Sequence, residues 1–477
     1  MPRFRPLDLA SWGNCPIHPC LAARPEKVRD LSAILADATI PSVISRGLGR
    51  SYGDAALNRD AGVVLHERLN RFLAFDPETG VLECEAGVSF ADLISVFLPR
   101  GWFPPVTPGT RFVTLGGALA ADVHGKNHHV DGSFSEFVEE FTLLTGSGRI
   151  LRCSRTENPE AFYATIGGMG LTGMVISLRL RLRRVESAFI AADYRRARHL
   201  DEALELFTSA TAGHAAFDSM RYCVAWLDCL ARGGSLGRCV LMGGEHAAAS
   251  VVPARFQGRP LEFPLRSTRT LPPVIPNGAL NALTVRAFNA VYYRANRDGS
   301  RVIPFDSFFY PLDAFSHWNR LYGPRGFQQY QVVVPPENSR RALVRLLEEL
   351  TASRRGSFLA VLKSMGRPSE GVIGFAMPGW TLAVDLPNAP GLDDFLRRLD
   401  DIVLEHGGRR YLAKDASLSR EHFERMYLRH AEFKRTLAAL DPEGRISSSM
   451  ARRLGLDHSA ASTAPPSPSS HAAGAPA

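Results

Sequence analysis

The 477-residue sequence has no apolar run of the ~18 or more residues that a membrane-spanning helix needs, and Met1–Pro6 lacks the apolar core of a signal peptide. A cytoplasmic protein is the expectation, with membrane association left open by its charge. Cysteine is sparse: seven residues, at 15, 20, 84, 153, 223, 229 and 239, odd in number and without a Cys-x-x-Cys pair. This argues against a disulfide framework or a structural zinc and leaves reduced, packing thiols. Lysine is sparser still. It occurs only as Lys27, Lys126, Lys363, Lys414 and Lys434, so arginine carries almost all of the formal net charge of +8. A lysine inside an apolar or motif-like segment therefore stands out, because lysine, unlike arginine, readily loses its proton when buried. No basic run interleaves with aromatics, which argues against nucleic acid. The basic balance fits an anionic membrane face or a phosphorylated lipid, and equally fits scattered solvated arginines.

What the sequence does have is glycine in clusters. Arg46–Asp54 follows an extended run, Pro41–Ser45, and sets Gly47, Gly49 and Gly53 around Ser51 and Tyr52. Such a loop suits a pyrophosphate: glycine permits positive φ and close approach, so successive N–H groups can converge on phosphate oxygens. In Pro108–His129, small residues surround Gly116 and Gly117, followed by a cluster of His, Lys and Asn. Small residues admit a flat ligand, and polar ones can meet its reactive edge. The third cluster, Ile166–Gly173, contains a formal Gly-x-Gly-x-x-Gly. It precedes Met174–Arg183, whose apolar and polar residues alternate as in a strand, whereas a Rossmann fingerprint opens a helix. The glycines are read as a turn running close to a cofactor. His124, His128 and His129 lack an acidic or cysteine neighbour to complete a ligand set, so no metal is expected.

The length, with 45% hydrophobic and 22% charged residues, suits a globular protein of two domains. From Trp12 to about Glu186 short helices and strands alternate with glycine turns, an α+β pattern. Pro25–Leu35 and Ser89–Leu98 read as helices, the second with Ser89 as N-cap and Asp92 as its capping-box partner. Beyond Glu186, Tyr222–Trp226, Gln329–Val334, Phe358–Lys363 and Trp380–Asp385 read as strands, and Ser339–Leu350 as a helix. They suit a second domain with an antiparallel sheet flanked by helices. The proline-rich Gly258–Asn277 and the unassigned Val285–Ser300 are expected to be mobile substrate covers. His458–Ala477, mostly Ala, Pro and Ser, is expected to be disordered.

The order of these segments resembles the FAD-binding domain of the vanillyl-alcohol-oxidase-type (PCMH-type) flavoproteins. Within that group, Arg46–Asp54, His124–His129 and Met450–Leu454 resemble the decaprenylphosphoryl-β-D-ribose oxidases, and the likeness runs from Trp12 to about Leu456. It implies an FAD-binding domain over 1–186, a substrate domain over 187–408, and a return to the FAD domain over 409–457, ahead of the tail 458–477. Cofactor contacts are implied for Arg46, Gly47, Leu48, Gly49, Arg50, Ser51, Tyr52, Gly53 and Asp54. They are implied also for Pro108, Gly109, Thr110, Thr114, Gly116, Gly117, Ala121, His124, Gly125, Asn127 and His128, and for Gly170, Gly173, Tyr411 and Lys414. Lys414, His124 and Tyr52 are the implied catalytic residues, Lys414 as a base or as a cation that stabilises alkoxide or reduced-flavin charge. Lys126, Trp226, Phe309, Gln329, Gln331, Lys363, Thr381 and Ala383 are the implied substrate residues, Lys363 toward a phosphate.

The implied activity is oxidation of the ribose 2-hydroxyl of a polyprenylphosphoryl ribose to a keto sugar. A separate NAD(P)H-dependent reductase would complete epimerisation to arabinose for cell-wall or surface glycans. A soluble alditol or sugar-lactone oxidase, and a non-catalytic flavin-fold scaffold for a partner reductase, are the rival readings. Arg50 stands where relatives with covalent flavin carry histidine, so noncovalent FAD is expected. The sequence departs from the well-known actinobacterial pattern at Phe309-Tyr310-Pro311-Leu312-Asp313 and at Thr381-Leu382-Ala383-Val384-Asp385, where Ala383 replaces the cysteine used by covalent inhibitors.

Overall fold

A computed structural model describes residues 3–210, 215–263, 268–272 and 275–457. The expectation for His458–Ala477 therefore lies outside the described residues, as does part of the one for Gly258–Asn277. Three main sheets organise the molecule. A four-stranded sheet has the order Arg5–Ala10, Ile17–Ala23, Gly62–Leu65, Val43–Arg46, and its last three strands run parallel. A five-stranded antiparallel sheet has the order Phe72–Phe75, Val81–Glu85, Met174–Arg181, Val138–Leu144, Ile150–Ser154. The alternation read in Met174–Arg183 is thus a central strand over Met174–Arg181, its outer half exposing Arg179 and Arg181 and burying Leu178 and Leu180.

The helix expected over Ser89–Leu98 spans Phe90–Phe97, and both bonds of the Ser89–Asp92 capping box are present. Its buried Phe90, Leu93, Ile94 and Phe97 recur at helical spacing on one face. The expected N-terminal helix occupies only Arg29–Leu35 of its range.

The third sheet is an eight-stranded antiparallel one, ordered Gly299–Pro304, Phe189–Ala197, Cys239–His246, Tyr222–Leu227, Ala360–Met365, Gly379–Pro387, Phe327–Val334, Arg409–Arg410. Each strand read beyond Glu186 falls in it, and the helix read over Ser339–Leu350 extends to Pro336–Ser353. The segment left unassigned, Val285–Ser300, is mostly a helix, Ala282–Ala295, followed by the start of an edge strand. Asn281 caps that helix through a capping box with Thr284, a start signal readable in the sequence. Its apolar residues spread around the axis, which hid the usual stripe.

After Arg410 the chain returns to the first sheet: the Val43 N–H donates to the Arg445 carbonyl at 2.8 Å, and the Ser447 N–H to the Val43 carbonyl at 3.1 Å.

Candidate active site

The loop after Val43–Arg46 is shaped by its glycines. Gly49 has φ +64°, and a Cβ there would run into the Arg46 guanidinium, which folds back to donate to the Ala10 carbonyl at 2.7 Å and that of Ala56 at 3.3 Å. A Cβ on Gly53 would collide with the Asp415 carbonyl. The loop is therefore sutured to the C-terminal return, and the Tyr52 N–H donates to the Ala413 carbonyl at 3.0 Å. The Arg50 guanidinium sits over Trp12, its Cζ 3.8 Å from the ring centroid.

Between this loop and the large sheet lies a cavity of about 450 Å³, which also receives the segments at 107–126 and 169–175. Thr114 caps the short helix Leu115–Ala120 by accepting from the Gly117 N–H at 3.3 Å. A Cβ on Gly116 would stand 2.7 Å from that of Ala86, while one on Gly109 would meet nothing within 4 Å.

The opposite wall is one face of the eight-stranded sheet. Cross-strand register aligns Trp226 with Val361, Val361 with Ala383, and Ala383 with Gln331, and it pairs Tyr194 with Met242 and Met242 with Val224. Because side chains alternate along a strand, these residues share the cavity face. Of the residues implied for cofactor or substrate, the structure places Gly53, Asp54, Asn127, His128 and Thr381 behind the lining and the rest in it. Asp54 pairs with Arg453 at 2.6 Å. Asn127 donates to the Pro105 carbonyl and to Asp131, and His128 meets the Gly366 N–H. Thr381 accepts from Gln331 at 3.1 Å. Trp12, Tyr194, Met242, Tyr292 and Asn296 also line the cavity. Tyr194 and Met242 lie on strands, where alternation does not say which face meets the ligand; Trp12, Tyr292 and Asn296 come from a turn and a helix end that only packing brings to the cavity.

The floor is a polar cluster. Gln331 Nε2 lies 2.9 Å from His124 Nε2, so the imidazole accepts there and carries its proton on Nδ1, which has no partner. The ring packs against both Phe375 and Tyr411, which stack on each other, and burial holds it neutral, with the nearby Lys363, His128 and Lys414 adding to the effect. Three of the five lysines converge here: Lys126, whose Nζ donates to the Phe309 carbonyl at 3.3 Å; Lys363, whose Nζ is 3.5 Å from the Gly125 carbonyl; and Lys414, over the Tyr52 ring. Each keeps some accessible surface, but that surface faces the cavity. Burial lowers Lys126 to about 8, and burial together with Lys126 and Lys414 lowers Lys363 to about 7.

The buried carboxylate whose charge acts on Lys414 is Asp385, which accepts from Gln329 and, at 3.2 Å, from the Tyr322 hydroxyl. Burial pushes Asp385 up and Lys414 down, and their mutual attraction opposes both shifts. No group of three or more His, Cys, Asp or Glu able to hold a metal occurs among the described residues.

The chain's residues fit FAD. The glycine-bordered end offers Ser51, Thr110 and Arg50, and the buried Arg50 Nε and His124 Nδ1 are unpartnered, as groups awaiting a polar ligand are. Comparison with known proteins agrees. The FAD binding domain family matches residues 19–154. Decaprenylphosphoryl-beta-D-ribose oxidase of Mycolicibacterium smegmatis is 38% identical over 87% of this chain and 89% of its own length. An uncharacterized protein in the mprA 5′ region of Streptomyces coelicolor is 35% identical over 76% of this chain and 99% of its own. The solved xylooligosaccharide oxidase of Myceliophthora thermophila C1, in complex with xylobiose, shares the fold, with TM-score 0.65 at 16% identity over 91% of this chain and 92% of that one. Fold and site together define an FAD-dependent oxidoreductase with a PCMH-type domain. Within that class, the chain belongs to the decaprenylphosphoryl-β-D-ribose oxidase family.

Proposed function

We propose that this enzyme oxidises the 2-hydroxyl of a polyprenylphosphoryl-β-D-ribose to the keto sugar. The observation that carries this reading is the convergence of Lys126, Lys363 and Lys414 on one cavity beside the His124–Gln331 pair. A neutral sugar needs no such cluster, whereas a phosphodiester-linked one brings the charge that keeps buried lysines protonated. Lys126 and Lys363, at the sheet side, take the phosphate. His124 and Gln331 orient the sugar, the imidazole Nδ1–H donating to a ring or hydroxyl oxygen.

Lys414 takes the proton of the 2-hydroxyl at Nζ, for which a lowered pKa suits it, and Asp385 stabilises the ammonium that results. FAD, when bound, supplies the acceptor for the two electrons and the hydrogen of the C2–H bond. Arg50, stacked on Trp12, replaces an attachment point with a contact, so the flavin is held noncovalently. Among the described residues, no cysteine lines the cavity.

A separate NAD(P)H-dependent reductase then converts the released keto sugar to the arabinose epimer. A polyprenyl substrate resides in a bilayer, so the enzyme works at a membrane face while, among the described residues, no helix is long and apolar enough to cross one. Anaerobic mixing with prenylphosphoryl ribose, followed by flavin absorbance, tests the reading. Bleaching within turnover time is expected. An unchanged spectrum, with bleaching by an alditol or sugar lactone instead, would replace it by the soluble-oxidase alternative; bleaching by no sugar donor at all would leave only the scaffold.

A further inference from the structure

The helix Ala282–Ala295 has two contrasting sides. Inward, Val285 and Asn289 are buried, and Asn289 donates to Asp228 at 2.7 Å. Tyr292 packs on Trp226 with ring centroids 4.4 Å apart, and it lines the cavity together with Asn296. Outward, Leu283 is 77% exposed, Val291 67% and Phe288 44%, the largest such concentration in any helix of the described residues. Leu283, Ala287 and Val291 recur four residues apart on one face, and Arg294 falls on the same face. Arg286 borders it, and Arg297 follows the helix; all three arginines are exposed. The helix contains no acidic residue, and neither Arg286 nor Arg294 makes an ion pair among the described residues.

An apolar stripe rimmed by exposed arginines is not explained as packing, because only Phe288 has ring contacts, with Phe358 and Tyr292, while Leu283 and Val291 stay largely exposed among the described residues, nor as a solvated helix face, because solvated faces are not led by Leu, Val and Phe. We infer that this outward face docks on an anionic lipid bilayer, with Leu283, Phe288 and Val291 entering the headgroup boundary and Arg286, Arg294 and Arg297 meeting lipid phosphates. The charge complementarity selects a bilayer over a neutral partner, and the geometry adds a reason. The helix is a wall of the cavity, so docking its outer side brings the cavity to the bilayer surface. This use of the surface rests on the prenyl-substrate reading, but vesicle binding itself needs no substrate.

The test is flotation of the full-length, FAD-loaded protein with vesicles of phosphatidylglycerol and phosphatidylethanolamine, without sugar, against vesicles of phosphatidylcholine alone. Wild type is expected to float with the anionic vesicles and not the neutral ones. Leu283→Glu/Val291→Glu is expected to weaken binding by about tenfold or more, with flavin absorbance and turnover of a short-prenyl, water-soluble phosphoryl ribose unchanged. Arg286→Gln/Arg294→Gln, which leaves the apolar stripe intact, should lower binding and flatten its salt dependence. Wild type that stays off anionic vesicles, or binding that both variants retain, would overturn the inference. So would a wild-type dimer that becomes monomeric in the Leu283→Glu/Val291→Glu variant without any vesicle binding, which would give the face to a second copy. If vesicles bind as expected but the short-prenyl sugar is not oxidised by wild type, the substrate reading fails and the docking surface stands.

Discussion

The Nζ of Lys414 stands 3.8 Å from the centroid of the Tyr52 ring. The contact joins the C-terminal return of the chain to the glycine loop, and backbone geometry sets it, through the bond from the Tyr52 N–H to the Ala413 carbonyl. A ring face attracts a cation, yet it cannot accept a proton. It can hold an amine in place beside a substrate hydroxyl in either protonation state, which is what a base that cycles between charged and neutral forms needs.

Lys414→Ala should therefore lower turnover by about 10²- to 10⁴-fold while the flavin spectrum and bound stoichiometry stay those of wild type. Single-turnover bleaching separates the loss of chemistry from a loss of sugar binding. Normal bleaching in the variant would remove Lys414 from proton transfer.

In the proposed reaction Asp385 acts on Lys414, the base. Its carboxylate raises the Lys414 pKa against burial. If the neutral amine is the active form, rate rises with pH through the Lys414 pKa, and loss of the negative charge moves that limb to lower pH. Asp385→Asn keeps a side chain of similar shape opposite Gln329 and Tyr322, so the limb should shift down by on the order of one pH unit. A profile that keeps its position, with only the plateau reduced, would mark Asp385 as purely structural.

Acid should destabilise the fold through buried histidines. Burial lowers His66 from 6.5 to about 4, and burial with Lys363, His129 and Arg367 nearby lowers His128 to about 3. Both are held neutral in the folded protein, so the unfolded chain binds more protons below 6.5 and stability falls as pH drops from there toward the folded values. Each can contribute up to about 1.4 kcal/mol per pH unit within that window. Melting temperature measured from pH 7 to 5 should decline, and His66→Gln should make the decline shallower.

Arg453 bridges two carboxylates, Asp54 at 2.6 Å and Asp415 at 2.9 Å, behind the glycine loop. Arg453→Met would leave Asp54 without its cation and Asp415 with only Arg410, at 3.7 Å, and breaking a buried pair costs about 3–5 kcal/mol. A lower melting temperature and faster loss of flavin on dilution are expected. Asp54→Asn in the Arg453→Met background should recover part of the loss.

Flavin should leave the protein on acid precipitation and appear, yellow, in the supernatant. Ala383 lines the cavity where a thiol-directed inhibitor would need cysteine, so incubation with one should add no mass to the intact chain. Flavin retained in the pellet, or a stoichiometric adduct, would contradict these expectations in turn.

The sequence by itself determined the elements that follow from local chemistry. The glycine clusters mark where the backbone must pass close to something, the Ser89–Asp92 box starts a helix wherever it occurs, and alternation makes Met174–Arg181 a strand. The scarcity of lysine singled out Lys126, Lys363 and Lys414. Only the tertiary structure decided that these three meet in one cavity: sheet register turns Lys363 inward, while the loop carrying Lys126 and the turn Leu412–Lys414 are packed against that sheet by contacts far apart in sequence. It also moved Asp54, Asn127 and His128 behind the lining, where they brace the loops that form it. Asp385 was visible as the end of a strand, but its electrostatic influence on Lys414 arises from two segments packed together after folding. The same holds for Ala282–Ala295: its sequence permits a helix, and only packing determined that one side would close the cavity and leave Leu283 and Val291 to the outside.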